Sequence, residues 1–180
     1  GGFSTKNSSI MYYDSEAIDI IITIFMTLSA MHFGVIFTVF AKRSLKPLNN
    51  PVTRYYIGVI AICSLLIGFS LKFQGGYTSW GRSFLDSTFQ TVSFLTTTGF
   101  GQADTASWPL LASAILIFAS IHCGCSGSTT GGIKADRMYI AIKAIVGDFR
   151  KRLSPSSVFR TRVGEACVPE ETVSSIFLFI

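Results

Sequence analysis

The chain has 180 residues, 49% of them hydrophobic and only 14% charged, with a mean hydropathy of +0.49. Soluble domains carry about a quarter charged residues, so this balance argues against an ordinary soluble domain and for a membrane protein. The formal net charge is +5, but the cations sit beside apolar runs instead of forming one basic face with aromatic or polar readout, so no nucleic-acid partner is expected.

The chain opens on Gly1-Gly2-Phe3-Ser4, without a methionine or a visible signal peptide, and stops inside the apolar run SSIFLFI. Both ends read as cuts within structural units of a longer chain. The first long apolar run covers residues 17–40, with Asp19 near one end and His32 its only other strongly polar member. At a rise of about 1.5 Å per residue it is long enough for a hydrocarbon core of about 30 Å. A transmembrane helix is expected over 11–41, then a cytoplasmic connection over 42–54. The second apolar run, 55–73, opens on a tyrosine pair and ends near Lys72, whose ammonium is placed to snorkel.

Residues 83–95, SFLDSTFQTVSFL, mix Phe84, Leu85, Phe89, Val92 and Phe94 with Asp86, Ser87, Thr88 and Gln90. The stretch is too short and too polar to span, and reads as a soluble-style helix or a re-entrant half-helix. The next run, 108–123, enters at Trp108-Pro109, a good helix start, and halts at GCSGSTTGGIK. Residues 135–153 then read as an amphipathic helix, with Met138, Ile142, Ile145 and Val146 near one face.

Lysine and arginine placement gives the orientation. Lys42, Arg43, Lys46 and Arg54 follow the first span; Lys134, Arg137, Lys143, Arg150, Lys151, Arg152, Arg160 and Arg162 follow the last. Both groups are expected on the cytoplasmic side. Residues 75–108 carry only Arg82 against Asp86 and Asp104 and are expected outside. The pattern is span, half-helix, glycine-containing return, span. Irregular backbone at membrane depth is tolerated where protein buries it or where it lines a water-filled cavity.

The return is TTTGFG, residues 96–101. Such a stretch can present backbone carbonyls and threonine hydroxyls to a monovalent cation leaving water. Gly99 permits positive φ or close backbone approach, and the half-helix directs the negative end of its dipole at the same place. The Gly-Phe pair at Gly2-Phe3 precedes a full span as Gly99-Phe100 does, suggesting serial repeats around one pore.

The interruption at 124–132 is not a phosphate-binding loop, because Ile133 intrudes before Lys134 and no hydroxyl follows. Nor is it a nucleophile elbow, since Gly124-Cys125-Ser126-Gly127 closes one residue early. It reads as a flexible insert below the 96–101 stretch, with Gly124, Ser126, Gly127, Ser128, Thr129, Thr130, Gly131 and Gly132 exposing carbonyls and hydroxyls to a hydrated path. Lys134 and Arg137 follow it, either solvated at the cytoplasmic interface or acting electrostatically on cation exit or on a regulatory subunit. His32 and His122 read as hydrogen-bonded packing residues. The four cysteines give no disulfide framework, and Cys123-Gly124-Cys125 lacks a second ligand pair. An alternative of another class, an intramembrane hydrolase with Ser126 or Cys125 as nucleophile and His122 as base, lacks a nearby orienting acid.

TTTGF, then Trp108-Pro109, then GCSGSTTGGIKADR resembles the third repeat of the Trk/Ktr/HKT superfamily of potassium transporters, in particular the membrane subunit of the bacterial Trk system (TrkH/TrkG-like). The opening GGFSTKN resembles the second repeat's filter. The resemblance implies an all-α integral membrane fold of repeats, each a transmembrane helix, a re-entrant pore helix and a second transmembrane helix. It places the end of the repeat-2 filter at 1–10 and a third repeat at 55–153, with outer helix 55–73, pore helix 83–95, filter 96–101 and broken inner helix 108–150. Residues 154–180 would be a connection and the start of the next transmembrane helix. The resemblance further implies potassium as the transported ion, with no catalysis and no organic cofactor. The filter would be Thr97, Thr98, Gly99 and Phe100 with Gly2 and Phe3, and the gate 124–132. Implied partners are lipid, the missing repeats, a second copy in a homodimer, and a cytoplasmic nucleotide-binding regulatory subunit (TrkA-like), all at the bacterial inner membrane. The filter is TTTGF and not the TVGYG of tetrameric potassium channels, so a sodium-conducting or non-selective transporter of the same fold stays open.

Overall fold

The structure, a computed structural model, describes residues 4–44, 46–153, 162–163 and 166–179. Gly2 and Phe3 therefore lie outside the described residues, as do residues 154–161 of the connection. The helices are α1 (Glu16–Ser29), α2 (Phe33–Lys42), α3 (Pro51–Gln74), α4 (Trp80–Leu95), α5 (Leu110–Ile121), α6 (Ala135–Leu153) and α7 (Glu170–Phe179). A two-residue antiparallel pairing, Arg162–Val163 with Ala166–Cys167, precedes α7.

Helix α3 is the longest of these. Asn50 caps it by accepting from the Val52 amide at 3.1 Å, and Pro51 occupies the first turn, where no amide proton is missed. Its 24 residues extend about 36 Å, enough to cross a bilayer. Tyr56, Ile60, Cys63, Ile67 and Leu71 recur at spacings of three and four and form its buried face. The opposite face is also apolar, with Ile62, Leu66, Phe69 and Phe73 exposed. A soluble helix would be polar there.

Helix α4 reverses that pattern. It packs among α1, α3 and α5, yet buries Ser83, Asp86, Ser87, Gln90, Thr91 and Ser93. Some of this polarity is answered locally: Ser87 donates to the Phe84 carbonyl at 3.0 Å and Thr91 to the Ser87 carbonyl at 2.7 Å. Ser83 donates across to the Gly68 carbonyl of α3 at 2.7 Å. Gly68 permits that approach, because a Cβ there would lie 2.5 Å from the Phe84 ring.

The first apolar run is not one straight span. It divides into α1 and α2, bent by 102°. At the bend His32 caps α2, its Nδ1 accepting from the Gly34 amide at 3.1 Å. That amide would otherwise bond the Ala30 carbonyl four residues back. The histidine read as a packing residue is thus a helix cap, and it frees Ala30 for another partner. The second break falls between α5 and α6, where thirteen residues, 122–134, leave the helix.

Gly68→Val tests the α3–α4 contact. Overpacking is expected to cost about 1–3 kcal/mol, lowering the thermal midpoint of the complete protein in detergent by several degrees. An unchanged midpoint would mean that the helices do not approach this closely.

Candidate functional site

The 96–101 turn begins as a helix terminus. The Thr98 amide donates to the Ser93 carbonyl at 3.0 Å and the Thr97 amide to the Phe94 carbonyl at 3.0 Å, the pairing of a Schellman cap on α4. Such caps need a left-handed residue, usually glycine. Here it is Thr97, at φ +53. A β-branched residue is strained in that region, and strain of this kind collects at functional positions. Gly99 follows at φ +78, while Thr98 and Phe100 stay at negative φ.

The amides and carbonyls of this turn point to different neighbours. The amides of Thr96, Thr97, Thr98 and Gly99 all bond carbonyls at the end of α4. The carbonyls of Thr96, Thr97, Thr98 and Gly99 accept no hydrogen bond from any described residue. Thr97 and Gly99 are exposed, and a Cβ on Gly99 would meet nothing within 4 Å. The Thr96 and Thr98 hydroxyls bond one another at 2.7 Å. Phe100, expected beside them, differs: its carbonyl accepts from Ser93 Oγ at 2.7 Å and so is already engaged by α4.

Beyond the turn the chain is pinned. The Gly101 carbonyl accepts from the amides of Ile10 (3.0 Å) and Met11 (3.2 Å), and its amide donates to Ser9 Oγ at 3.2 Å. Gln90 Nε2 donates to the Ala103 carbonyl at 3.1 Å. Gln102 Nε2 donates to Asp19 at 2.6 Å and to Asp86 at 2.9 Å. Asp86 also accepts from Tyr77 at 3.0 Å and pairs with Arg82 at 3.0 Å. In the outer connection, burial and then the Asp86 charge push the Tyr77 hydroxyl up to about 12.

The 122–134 segment is a closed loop. Its base is a parallel bridge between His122 and Ile133, with the Cys123 amide on the Ile133 carbonyl at 3.0 Å and the Ala135 amide on the Gly124 carbonyl at 3.0 Å. The Cys125 amide reaches the Ala30 carbonyl, freed by the α1–α2 bend, at 2.9 Å. Gly124 makes this possible, since a Cβ there would lie 2.6 Å from that oxygen. Gly127 and Gly132 take φ +83. Asp136 accepts from the Ser126 amide. Ser128 Oγ bonds the Cys125 carbonyl at 2.6 Å and the Thr130 hydroxyl at 2.8 Å. Thr129 and Gly131 are exposed.

Lys134 turns back into the loop. Its ammonium bonds the Ser128 carbonyl at 3.0 Å, the Thr130 carbonyl, and Thr130 Oγ1 at 3.2 Å. It is not simply solvated. Arg137, in the first turn of α6, is half-buried. His122 directs Nε2 to the Tyr55 hydroxyl at 2.9 Å, and neither ring nitrogen bonds Ser126 or Cys125. The arrangement of a base on a nucleophile is therefore not formed.

The two irregular segments meet. Thr97 Oγ1 accepts from the Gly131 amide at 3.2 Å. The structure thus joins the threonine-rich turn to the glycine-rich loop through the strained residue itself. It also adds residues that the motifs did not single out: Ser93, Gln102, Asp19 and Ala30. An aspartate near the end of an apolar run was the one visible trace of the Asp19 partnership.

The sequence matches the TrkH family, described as a cation transport protein, over residues 1–180. It is 33% identical over 184 residues to the Trk system potassium uptake protein TrkH of Salmonella typhimurium, covering 99% of this chain and 37% of that protein. It is 31% identical over 180 residues to the Trk system potassium uptake protein TrkG of Escherichia coli, with the same coverage. The crystal structure of the potassium transporter TrkH from Vibrio parahaemolyticus superposes with a TM-score of 0.92 at 34% identity, covering 99% of this chain and 39% of that one. The chain thus spans a little over a third of the length of these relatives, and its fold is an all-α integral membrane fold.

Lys134→Met removes the ammonium that ties the loop. Hydrogen bonds to charged groups contribute about 1.5–3 kcal/mol, so amides 125–131 are expected to exchange hydrogen roughly tenfold to a hundredfold faster in the complete protein. Exchange at the original rate would show that the tether does not hold the loop.

Proposed function

The chain belongs to the TrkH family of cation transport proteins, and on that premise we propose that it supplies one filter strand and the gating loop of a potassium uptake pathway. The observation that carries this is the row of four consecutive carbonyls at Thr96–Gly99 that no described residue claims. A cation entering from water exchanges hydration oxygens for such carbonyls. The end of α4 adds partial negative charge at the same place, and the Thr97 and Gly99 conformations leave the turn open on one side. Gly2 and Phe3 would contribute the equivalent strand of the preceding repeat. Other parts of the complete protein would close the ring, so this segment does not conduct by itself.

The loop at 124–132 is the gate in this reading. It touches the turn at Thr97 and is held by contacts that can be exchanged: a lysine ammonium, hydroxyl pairs and one amide–hydroxyl bond. Two glycines at positive φ give it hinges. Permeation needs no covalent step and no organic cofactor. Lys42, Arg43, Lys46 and Arg54, with the cations of α6, support a cytoplasmic side for those connections in a multi-pass inner-membrane protein. A second copy and a cytoplasmic nucleotide-binding subunit are the partners this reading implies.

Gly99→Asp in the complete protein tests it. A side chain at φ +78 is strained, and this one enters the open space before the carbonyls. Rubidium uptake by cells lacking other potassium uptake systems is expected to fall at least tenfold, or its preference over sodium to be lost. Uptake and preference equal to the parent protein would contradict the proposal.

A further inference from the structure

Gln102 is 2% exposed and lies just past the turn. Its amide nitrogen has two protons, and each has a carboxylate: Asp19 of α1 at 2.6 Å and Asp86 of α4 at 2.9 Å. Those carboxylates are themselves 2% and 3% exposed. Asp86 has further donors in Tyr77 and Arg82, and Arg82 also faces Asp14 at 3.6 Å. Asp19 receives its side-chain hydrogen bond from Gln102 alone among the described residues. One neutral side chain therefore bridges the inner helix of one repeat to the pore helix of the next.

The bridge sits at a boundary in the chain. The Phe100 and Ala103 carbonyls and both polar groups of Gly101 are engaged. The four carbonyls before them accept no hydrogen bond from a described residue, with Thr96 buried and Thr97 and Gly99 exposed. Their height and spacing depend on where the pinned end is fixed, since a flexible strand of carbonyls discriminates ions by ligand number and field only while that geometry is kept. We infer that Gln102 is a selectivity-determining positioning residue, which clamps the outer end of the Thr96–Gly99 strand between Asp19 and Asp86. This rests on the filter reading above.

The chemistry restricts the position to a double donor of this length. Glutamate would bring a third carboxylate against two buried ones, which are offset there by one guanidinium. Leucine would strand Asp19 without its donor, and buried unpaired charge is costly. Asparagine keeps the amide but is one methylene short.

The test uses the complete transporter in liposomes, with rubidium and sodium fluxes measured for each variant alongside its thermal midpoint. Gln102→Glu is expected to lower the rubidium-to-sodium flux ratio at least fivefold. Adding Asp19→Asn returns a donor facing the new carboxylate and is expected to recover at least half of the loss on a logarithmic scale. Gln102→Asn, the milder change, is expected to lower the ratio about twofold or more with the midpoint retained, and it carries the test if the glutamate variant does not fold. A parental ratio in Gln102→Asn and in any folded Gln102→Glu overturns the inference, as does a double variant no better than the single. Gly99→Asp is run in parallel. If it alters the ratio and the Gln102 variants do not, only the positioning role falls; if it too is silent, the filter reading falls with it.

Discussion

Backbone that leaves the helix within a bilayer must find a partner for each amide and carbonyl, or line water. On the pore reading proposed above, the two irregular segments of this chain meet that requirement in opposite ways. In the 122–134 loop the bonds close inward: the amides of Cys123, Cys125, Ser126, Ser128, Gly131 and Ile133 all have protein acceptors. In the 96–101 turn the accounting is split. The amides of Thr96–Gly99 are taken by the end of α4, while the corresponding oxygens accept no hydrogen bond from a described residue. That split follows from a Schellman cap built on a threonine.

The loop and the turn also depend on features far from either. The helix breaks between α1 and α2 with a bend of 102°, His32 takes the Gly34 amide there, and the Ala30 carbonyl is left to anchor Cys125. Gly124 is required because that oxygen comes too close for any Cβ. Thr97 then serves three purposes at once: helix cap, wall of the turn, and acceptor for Gly131. A displacement of the loop must change this last contact. That gives the gate reading a physical link to the filter reading, which proximity alone would not.

Much of this architecture was legible in the sequence. Glycines and hydroxyls concentrated at 124–132 within apolar surroundings cannot continue a helix cheaply, and the break falls there. The polar character of 83–95 read as a soluble-style helix or a re-entrant half-helix, too short to span; in the structure the helix starts three residues earlier, at Trp80, and is buried among its neighbours. Other features were hidden for stated reasons. A left-handed cap on threonine breaks the glycine rule by which such caps are recognised. The His32 cap at the bend uses a ring nitrogen accepting from two residues on, which hydropathy does not register. Gln102 meets Asp19 across 83 positions, and no local period reports such a pairing. Lys134 reads as one more cytoplasmic cation until its three acceptors in the loop are seen.

The central claim is that the Thr96–Gly99 carbonyl oxygens, which accept no hydrogen bond from a described residue, form a cation site. Anomalous diffraction from crystals of the complete protein grown in rubidium addresses it most directly. The account predicts a rubidium peak within coordination distance of those carbonyls, on the outer side of the Thr97–Gly131 contact. Rubidium found elsewhere along the protein with none at these carbonyls, or these carbonyls found bonded to other protein groups, would contradict it.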